Sequence, residues 1–283
     1  MHIEDIYKKY SVKIDYLDLE LLIASSIGKS REFALAHPEC RIPATRNPKL
    51  RTLIRRRMKD EPLAYILGQK EFYGLNFKVN QNTLIPRPET ELLVEKVLEL
   101  NPKNATIIDV GTGTGNIIIS LAKNLKERNK FMALDISSKA VSVAKQNAKL
   151  HKVDKKIKFL KGNLLEPILK SKNYNLKTKN LVVVTNLPYL DTDWKNLLPS
   201  SDTQGLRYEP RIALYAGKDG LDAYRKLAKQ IKLLKGKTEH AIAVFCEVGP
   251  FQTKEMRKIF SFAKRVGFSK DLAGKWRVCK IQI

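Results

Sequence analysis

The apolar positions along the chain change their period as it runs. Over residues 1–70 they recur at helical spacing. Tyr16-Leu17-Asp18-Leu19-Glu20-Leu21-Leu22-Ile23 is an apolar-rich segment that Gly28 stops, because glycine readily takes the left-handed conformation that closes a helix. Asn47-Pro48 forms a helix start with Pro48 in the first turn. Leu50, Leu53, Ile54 and Met58 then share one face. Pro62 and Gly68 punctuate the end. A small helical domain over 1–71 is expected.

The period then shortens to two. Leu75, Phe77 and Val79 alternate with Asn76, Lys78 and Asn80, which predicts a half-buried strand. A turn at Asn80-Gln81-Asn82 and a second short strand would complete a β-hairpin linker over 72–85. Pro86-Arg87-Pro88 ends it, and Pro88 can open a helix from Glu89 to Leu100 with acids in its first turn. From residue 105 onward strands and helices alternate. Strands are expected at 106–110, 131–135, 157–160, 181–185 and 241–248, helices at 116–125, 138–150, 221–234 and 252–266, and two strands at the close. Such alternation implies an α/β domain over 86–283, with a mostly parallel sheet and helices on both faces.

Composition adjusts this picture only in places. A chain of 283 residues, 43% of them hydrophobic, holds one catalytic domain and a smaller one with a real core. The longest apolar runs, Leu181–Pro188 and Ala241–Val248, are too short to cross a bilayer. Residues 1–30 carry acids and lysines and no apolar leader run. The expectation is a soluble, cytoplasmic monomer without a membrane partner. Cys40, Cys246 and Cys279 are widely spaced and form no Cys/His cluster, so no metal site is expected. The net charge of +24 suits proximity to nucleic acid or the ribosome. Its lysines are nevertheless spread along the whole chain, and the one tight cluster, Arg55-Arg56-Arg57, reads as a solvated helix face.

Three elements carry candidate chemistry. Gly111-Thr112-Gly113-Thr114-Gly115 joins the first strand of the sheet to its helix. Glycines at alternate positions let the backbone turn tightly and approach a ligand. The spacing is neither the dinucleotide fingerprint nor a P-loop. Asp135 ends the next strand, where an acid accepts hydrogen bonds from both hydroxyls of a ribose; it could also cap the following helix, a role open to Ser137 or Ser138. Together the loop and the acid suit a nucleotide-like cofactor. The third element is Asn186-Leu187-Pro188-Tyr189, at the end of the apolar strand 181–185. If this strand lies beside the glycine-loop strand, Asn186 faces the cofactor. The Asn186 side-chain oxygen and the Leu187 carbonyl are two acceptors for a planar NH2 group. Pro188 stiffens the turn, and Tyr189 offers a flat face. Held so, a weakly nucleophilic nitrogen lies in line with an electrophilic methyl and is stabilised as it gains charge.

The loop, Asp135 and the tetrapeptide resemble class I methyltransferases that act on planar amino groups. Four further segments narrow the resemblance: Glu61–Gly68, Glu71–Gly74, Leu84-Ile85-Pro86-Arg87-Pro88-Glu89-Thr90-Glu91 and Glu209–Leu214. With Asp271–Gly274 they are similar to the peptide chain release factor glutamine methyltransferases, over about residues 60 to 283. The resemblance implies a Rossmann-like domain with a seven-stranded sheet closed by an antiparallel hairpin. It implies S-adenosyl-L-methionine as cofactor and S-adenosyl-L-homocysteine as product. The substrate implied is the Gly-Gly-Gln glutamine of a release factor, methylated on N5 and gripped by the N-terminal helices. Gly111 to Gly115, Asp135, Asn163, Leu164 and Asn186 would then hold the cofactor, Asn186 to Tyr189 the target amide, and Arg87 and Glu89 the pocket wall. The chain departs from the family pattern at Leu187 (where proline is usual), at Asn163 and Leu164 (aspartate and an aromatic), and at Trp276. Two other readings stand beside this one. An adenine N6-methyltransferase would use the same tetrapeptide, and a non-catalytic protein could grip a ribosomal partner with a methyltransferase shell.

Overall fold

The structure is a computed structural model that describes residues 1–125, 128–171, 180–191 and 204–283. The chain divides into two compact units, each with its own contacts.

The first unit comprises Met1–Gln69 together with the turn Gln204–Tyr208. Its helices are α1 (Ile3–Tyr10), α2 (Tyr16–Ile27), α3 (Arg31–Ala36), α4 (Asn47–Arg57) and α5 (Leu63–Leu67). Asp15 caps α2 by accepting from the Leu17 amide at 2.9 Å, and Gly28 closes it at φ 70°. Gly68 closes α5 in the same way at φ 74°. Ile3, Ile6, Leu19, Leu22, Ile23, Leu50 and Ile54 form a shared core. Met58, expected on the apolar face of α4, lies past the end of that helix and is exposed. The basic cluster is only partly solvated. Arg56 makes a bidentate pair with the buried Glu61 at 2.8 and 2.6 Å, and Arg57 pairs with Asp18 at 2.5 Å, which leaves Arg55 at the surface. Arg207 secures the Gln204–Tyr208 turn by donating to the Lys59 carbonyl at 2.6 Å.

The second unit opens on a hairpin, β1 (Gln69–Phe72) and β2 (Leu75–Lys78). Tyr73 and Gly74 join them with φ of 52° and 70°, the paired positive angles that match the twist of a two-residue hairpin loop. The strand at Leu75 is therefore where its alternation placed it, but its partner precedes it. Residues 80–87 form a loop and not a second strand.

A short 3₁₀ turn, Pro88–Thr90, leads into α6 (Glu91–Leu100). Then follow β3 (Ala105–Val110), α7 (Asn116–Asn124), β4 (Lys130–Asp135), α8 (Ser138–Leu150), β5 (Ile157–Lys161), α9 (Glu166–Lys170) and β6 (Asn180–Thr185). Beyond them come α10 (Arg211–Leu214), α11 (Asp222–Lys235), β7 (Ala241–Glu247), α12 (Thr253–Ile259), β8 (Arg265–Lys270) and β9 (Trp276–Gln282). The seven strands lie in the order β5-β4-β3-β6-β7-β9-β8, parallel except where β9 pairs with β7 and β8. Every residue of β3 is buried, as expected for a parallel strand covered on both faces. On one face Ile108, Val110 and Val183 pack with Tyr224, Leu227 and Ile231 of α11. On the other, Ile107 and Val182 pack with Leu93 and Val97 of α6 and Ile118 and Leu121 of α7. The helix expected over 252–266 stops at Ile259, and Val266 lies in β8, paired with Ile281. No helix among the described residues is long and apolar enough to cross a membrane.

Candidate active site

Strand order reverses between β3 and β6. That is where an open α/β sheet leaves a crevice beyond the carboxyl ends of its strands. Val110 and Thr185 end these two strands in register, tied by the Thr185 hydroxyl donating to the Val110 carbonyl at 2.6 Å. The glycine loop and the Asn186–Tyr189 segment therefore emerge side by side.

The loop is held from below. The amides of Gly111 and Thr112 both donate to the Leu134 carbonyl, at 2.8 and 2.9 Å. Gly111, Gly113 and Gly115 all have positive φ, at 74°, 54° and 80°. Their surroundings differ. A Cβ on Gly111 would come within 3.2 Å of Leu187 Cδ2, whereas one on Gly115 would meet Ile119 Cδ1 at 2.9 Å and Ala144 Cβ at 3.2 Å. Gly115 thus permits close packing of α7 on α8. Thr114 is fastened from behind, since Asn147 on α8 donates to its carbonyl at 2.9 Å and exchanges hydrogen bonds with the Lys78 backbone at 2.8 and 3.0 Å.

Asp135 fits a ribose. Its Oδ2 accepts from the Gly113 amide and its Oδ1 from the Ser137 amide, each at 2.9 Å. A carboxylate offers about four acceptor sites, more than these amides occupy, so lone pairs remain for ribose hydroxyls. The cap of α8 is Ser137, whose hydroxyl accepts from the Ala140 amide at 3.2 Å. Beside Asp135, the turn after β5 carries Asn163, whose amide donates to Glu166 at 3.3 Å, and Leu164 at φ 53°.

Asn186 donates from Nδ2 to the Thr90 hydroxyl at 3.1 Å. Thr90 in turn donates to Glu247 Oε2 at 2.5 Å, and the Tyr189 hydroxyl donates to Glu247 Oε1 at 3.2 Å. Glu247 ends β7 and is 1% exposed. Burial pushes its pKa up, against the hydrogen bonds from Thr90 and Tyr189 and the charge of Arg277. The Tyr224 hydroxyl bonds to the Glu247 carbonyl and lies 3.4 Å from that of Leu187. Arg87 donates to Glu209 at 2.5 Å, and the other oxygen of that buried acid accepts from the Ile85 amide at 3.0 Å. Glu89 instead faces Arg277 at 3.8 Å.

These elements surround a cavity of 410 Å³ lying wholly within the second unit, large enough for a small-molecule cofactor. Gly111, Thr112, Gly113, Thr114, Asp135, Asn163, Leu164, Arg87, Asn186, Leu187 and Pro188 line it. Gly115, Glu89 and Tyr189 are not among its lining residues; Tyr189 turns its hydroxyl to Glu247. Trp276 stands edge-on to Phe268, with Lys270 over its ring at 4.7 Å. Thr90, Glu247, Asn147 and Glu209 had no assigned role in the sequence reading. The signal for Glu247 was present: like Asp135, it is an acid at the carboxyl end of an apolar strand.

The class of the second unit follows from comparison as well as geometry. Residues 101–203 match a family described as a methyltransferase domain, and residues 4–68 match the PrmC N-terminal domain. The hMettl16 catalytic domain, solved in complex with a MAT2A 3′UTR hairpin, superposes with a TM-score of 0.55 over 84% of this chain and 80% of that one, at 17% identity, a likeness of fold alone. The release factor glutamine methyltransferase of Enterococcus faecalis is 36% identical over 250 residues, covering 86% of this chain and 84% of its own. That of Coxiella burnetii is 38% identical, covering 78% and 75%, and that of Thermodesulfovibrio yellowstonii 35%, covering 99% and 96%. The chain belongs to the release factor glutamine methyltransferase family.

Proposed function

We propose that this protein transfers a methyl group from S-adenosylmethionine to the side-chain amide nitrogen of the glutamine in the Gly-Gly-Gln motif of a peptide chain release factor. The observation that carries the reading is the pairing of the Asn186–Pro188 turn with the glycine loop across the β3–β6 switch point. Membership of the family supports glutamine as the acceptor.

The cofactor supplies an electrophilic methyl on a sulfonium centre. Gly111 to Gly113 and Asp135 hold its nucleoside, with Asn163 and Leu164 beside the base. Gly115 contributes by packing the loop. With its NH2 committed to Thr90, Asn186 presents its amide oxygen to one N–H of the substrate, and the Leu187 carbonyl takes the other. Both acceptors strengthen their hold as the nitrogen becomes positive, so transfer draws on positioning and electrostatics. The proton becomes acidic only at that stage, and no prior base is needed. The helices of residues 1–69 recognise the body of the release factor. The same reading has the enzyme act in the cytoplasm as a monomer, and its net charge of +24 suits proximity to nucleic acid or the ribosome.

Incubation with methyl-labelled cofactor and separate pools of release factor, RNA and DNA tests this. Label is expected on release factor, at the glutamine. Label on adenine in either nucleic acid would replace this reading with an adenine N6-methyltransferase.

A further inference from the structure

Thr90 and Glu247 meet at the residue on which acceptor recognition rests. Asn186 has two nearly isosteric ends, and only one of them serves the reaction. A substrate N–H needs an oxygen; an NH2 in its place would repel it. Something must therefore decide which way the Asn186 amide is turned.

We propose that Thr90 and Glu247 are positioning residues that lock the Asn186 amide with its NH2 toward Thr90 and its oxygen available to the substrate. This deepens the function proposed above and rests on the reading of Asn186 as acceptor. The lock follows from counting protons. An ionised Glu247 has only lone pairs, so the hydroxyls of Thr90 and Tyr189 must both donate to it. A threonine hydroxyl has one proton. Once that proton lies on Glu247, the Thr90 oxygen can only accept, and what it meets at 3.1 Å is Asn186 Nδ2. A flipped amide would set Oδ1 against the lone pairs of Thr90 with no proton between them. Thr90 and Glu247 are 2% and 1% exposed, so water is not at hand to relieve that conflict.

The charge state of Glu247 is the condition. A protonated Glu247 could donate to Thr90, releasing the threonine proton toward Asn186 and removing the preference. Burial opposes the ionised form of Glu247, as does Glu89; the Thr90 and Tyr189 hydroxyls and Arg277 favour it, and Tyr224 bonds to its carbonyl.

Three variants, Thr90→Val, Thr90→Ser and Glu247→Gln, test the relay against release factor. Cofactor dissociation constants serve as the check that each is folded. Thr90→Val keeps the shape and removes the hydroxyl, and its kcat is expected to fall roughly 100-fold, the scale of a misplaced reacting group. Thr90→Ser should recover most of that loss. Wild-type kcat should show an acid limb, which Glu247→Gln abolishes. In nitrogen-15 NMR spectra of the full chain, the Asn186 side-chain NH2 should be protected from exchange in wild type and Thr90→Ser but not in Thr90→Val. Equal kcat in Thr90→Val and wild type, an equal fall in Thr90→Ser, or unchanged protection in Thr90→Val would each overturn the relay. A wild-type enzyme that leaves release factor unmethylated would instead refute the substrate reading, and the NMR comparison would still decide the relay.

Discussion

Asp109, near the end of β3 and two residues before Gly111, has no exposed surface, and its Oδ2 accepts from the Thr112 hydroxyl at 2.7 Å. Burial pushes its carboxyl up to about 7, against the pull of that hydrogen bond. The folded protein then keeps a proton that the unfolded chain releases near pH 4. The stability associated with that proton is full below pH 4 and lost as pH rises to about 7. Compared by urea unfolding at pH 5 and pH 8, wild type should lose about 2–3 kcal/mol relative to Asp109→Asn, at 1.36 kcal/mol per pKa unit. Parallel pH dependence in the two proteins would contradict this. A second prediction concerns Asn186 itself. Asn186→Ala removes an acceptor made useful only as the nitrogen gains charge, so methyl transfer should fall by roughly 100-fold or more. Cofactor affinity, measured by calorimetry, should stay near wild type; full transfer in the variant would sink the mechanism. Single residues were unevenly legible in the sequence. Asp135 stood out because it ends the apolar strand that follows the glycine loop, and Asn186 because it follows an apolar strand and opens a proline-bearing turn. Asn147 did not, because an asparagine on a helix with three lysines and a glutamine looks like one more solvated side chain until its three backbone hydrogen bonds are seen.

At the scale of elements, the central strands were legible because burial on both faces demands continuous apolar runs, as in Leu181–Val184. The hairpin and the last helix were less so. Alternation at Leu75, Phe77 and Val79 gives a strand but not its partner, and the positive φ at Tyr73 has no compositional signature. Past Ile259 the apolar residues Phe260, Phe262, Ala263 and Val266 continue a pattern compatible with helix. Pairing of Val266 with Ile281 takes that stretch into the sheet instead. The junction of α7 and α8 provides a test at this scale. Gly115→Ala places a methyl group against Ile119 and Ala144 at a φ of 80°. Strain and overpacking together are expected to cost about 1–3 kcal/mol. Thermal denaturation reads this directly, and an unchanged midpoint would mean that the two helices separate freely.

For the whole molecule, the class of the larger unit was legible in the sequence. The sequence did not convey that the turn Gln204–Tyr208 packs with the N-terminal helices, because no local pattern records a contact between Arg207 and Lys59. The three cysteines report on the integrity of the entire fold. Cys246 and Cys279 face each other across β7 and β9 with no exposed surface. Burial pushes Cys279 up to about 12 and Cys246 also upward. Thiolate is the reactive form, so a chromogenic disulfide reagent should titrate one thiol per native chain, Cys40, and all three in denaturant. Rapid reaction of a second thiol in the native protein would show that the β7–β9 pairing opens.

The 3.2 Å approach between Leu187 and the missing side chain of Gly111 has a thermodynamic consequence. The cofactor loop and the acceptor loop share a wall. Any change in affinity that a ligand on one side of that wall causes on the other is reciprocal by linkage. The factor by which bound cofactor tightens the glutamine peptide must equal the factor by which the peptide tightens the cofactor.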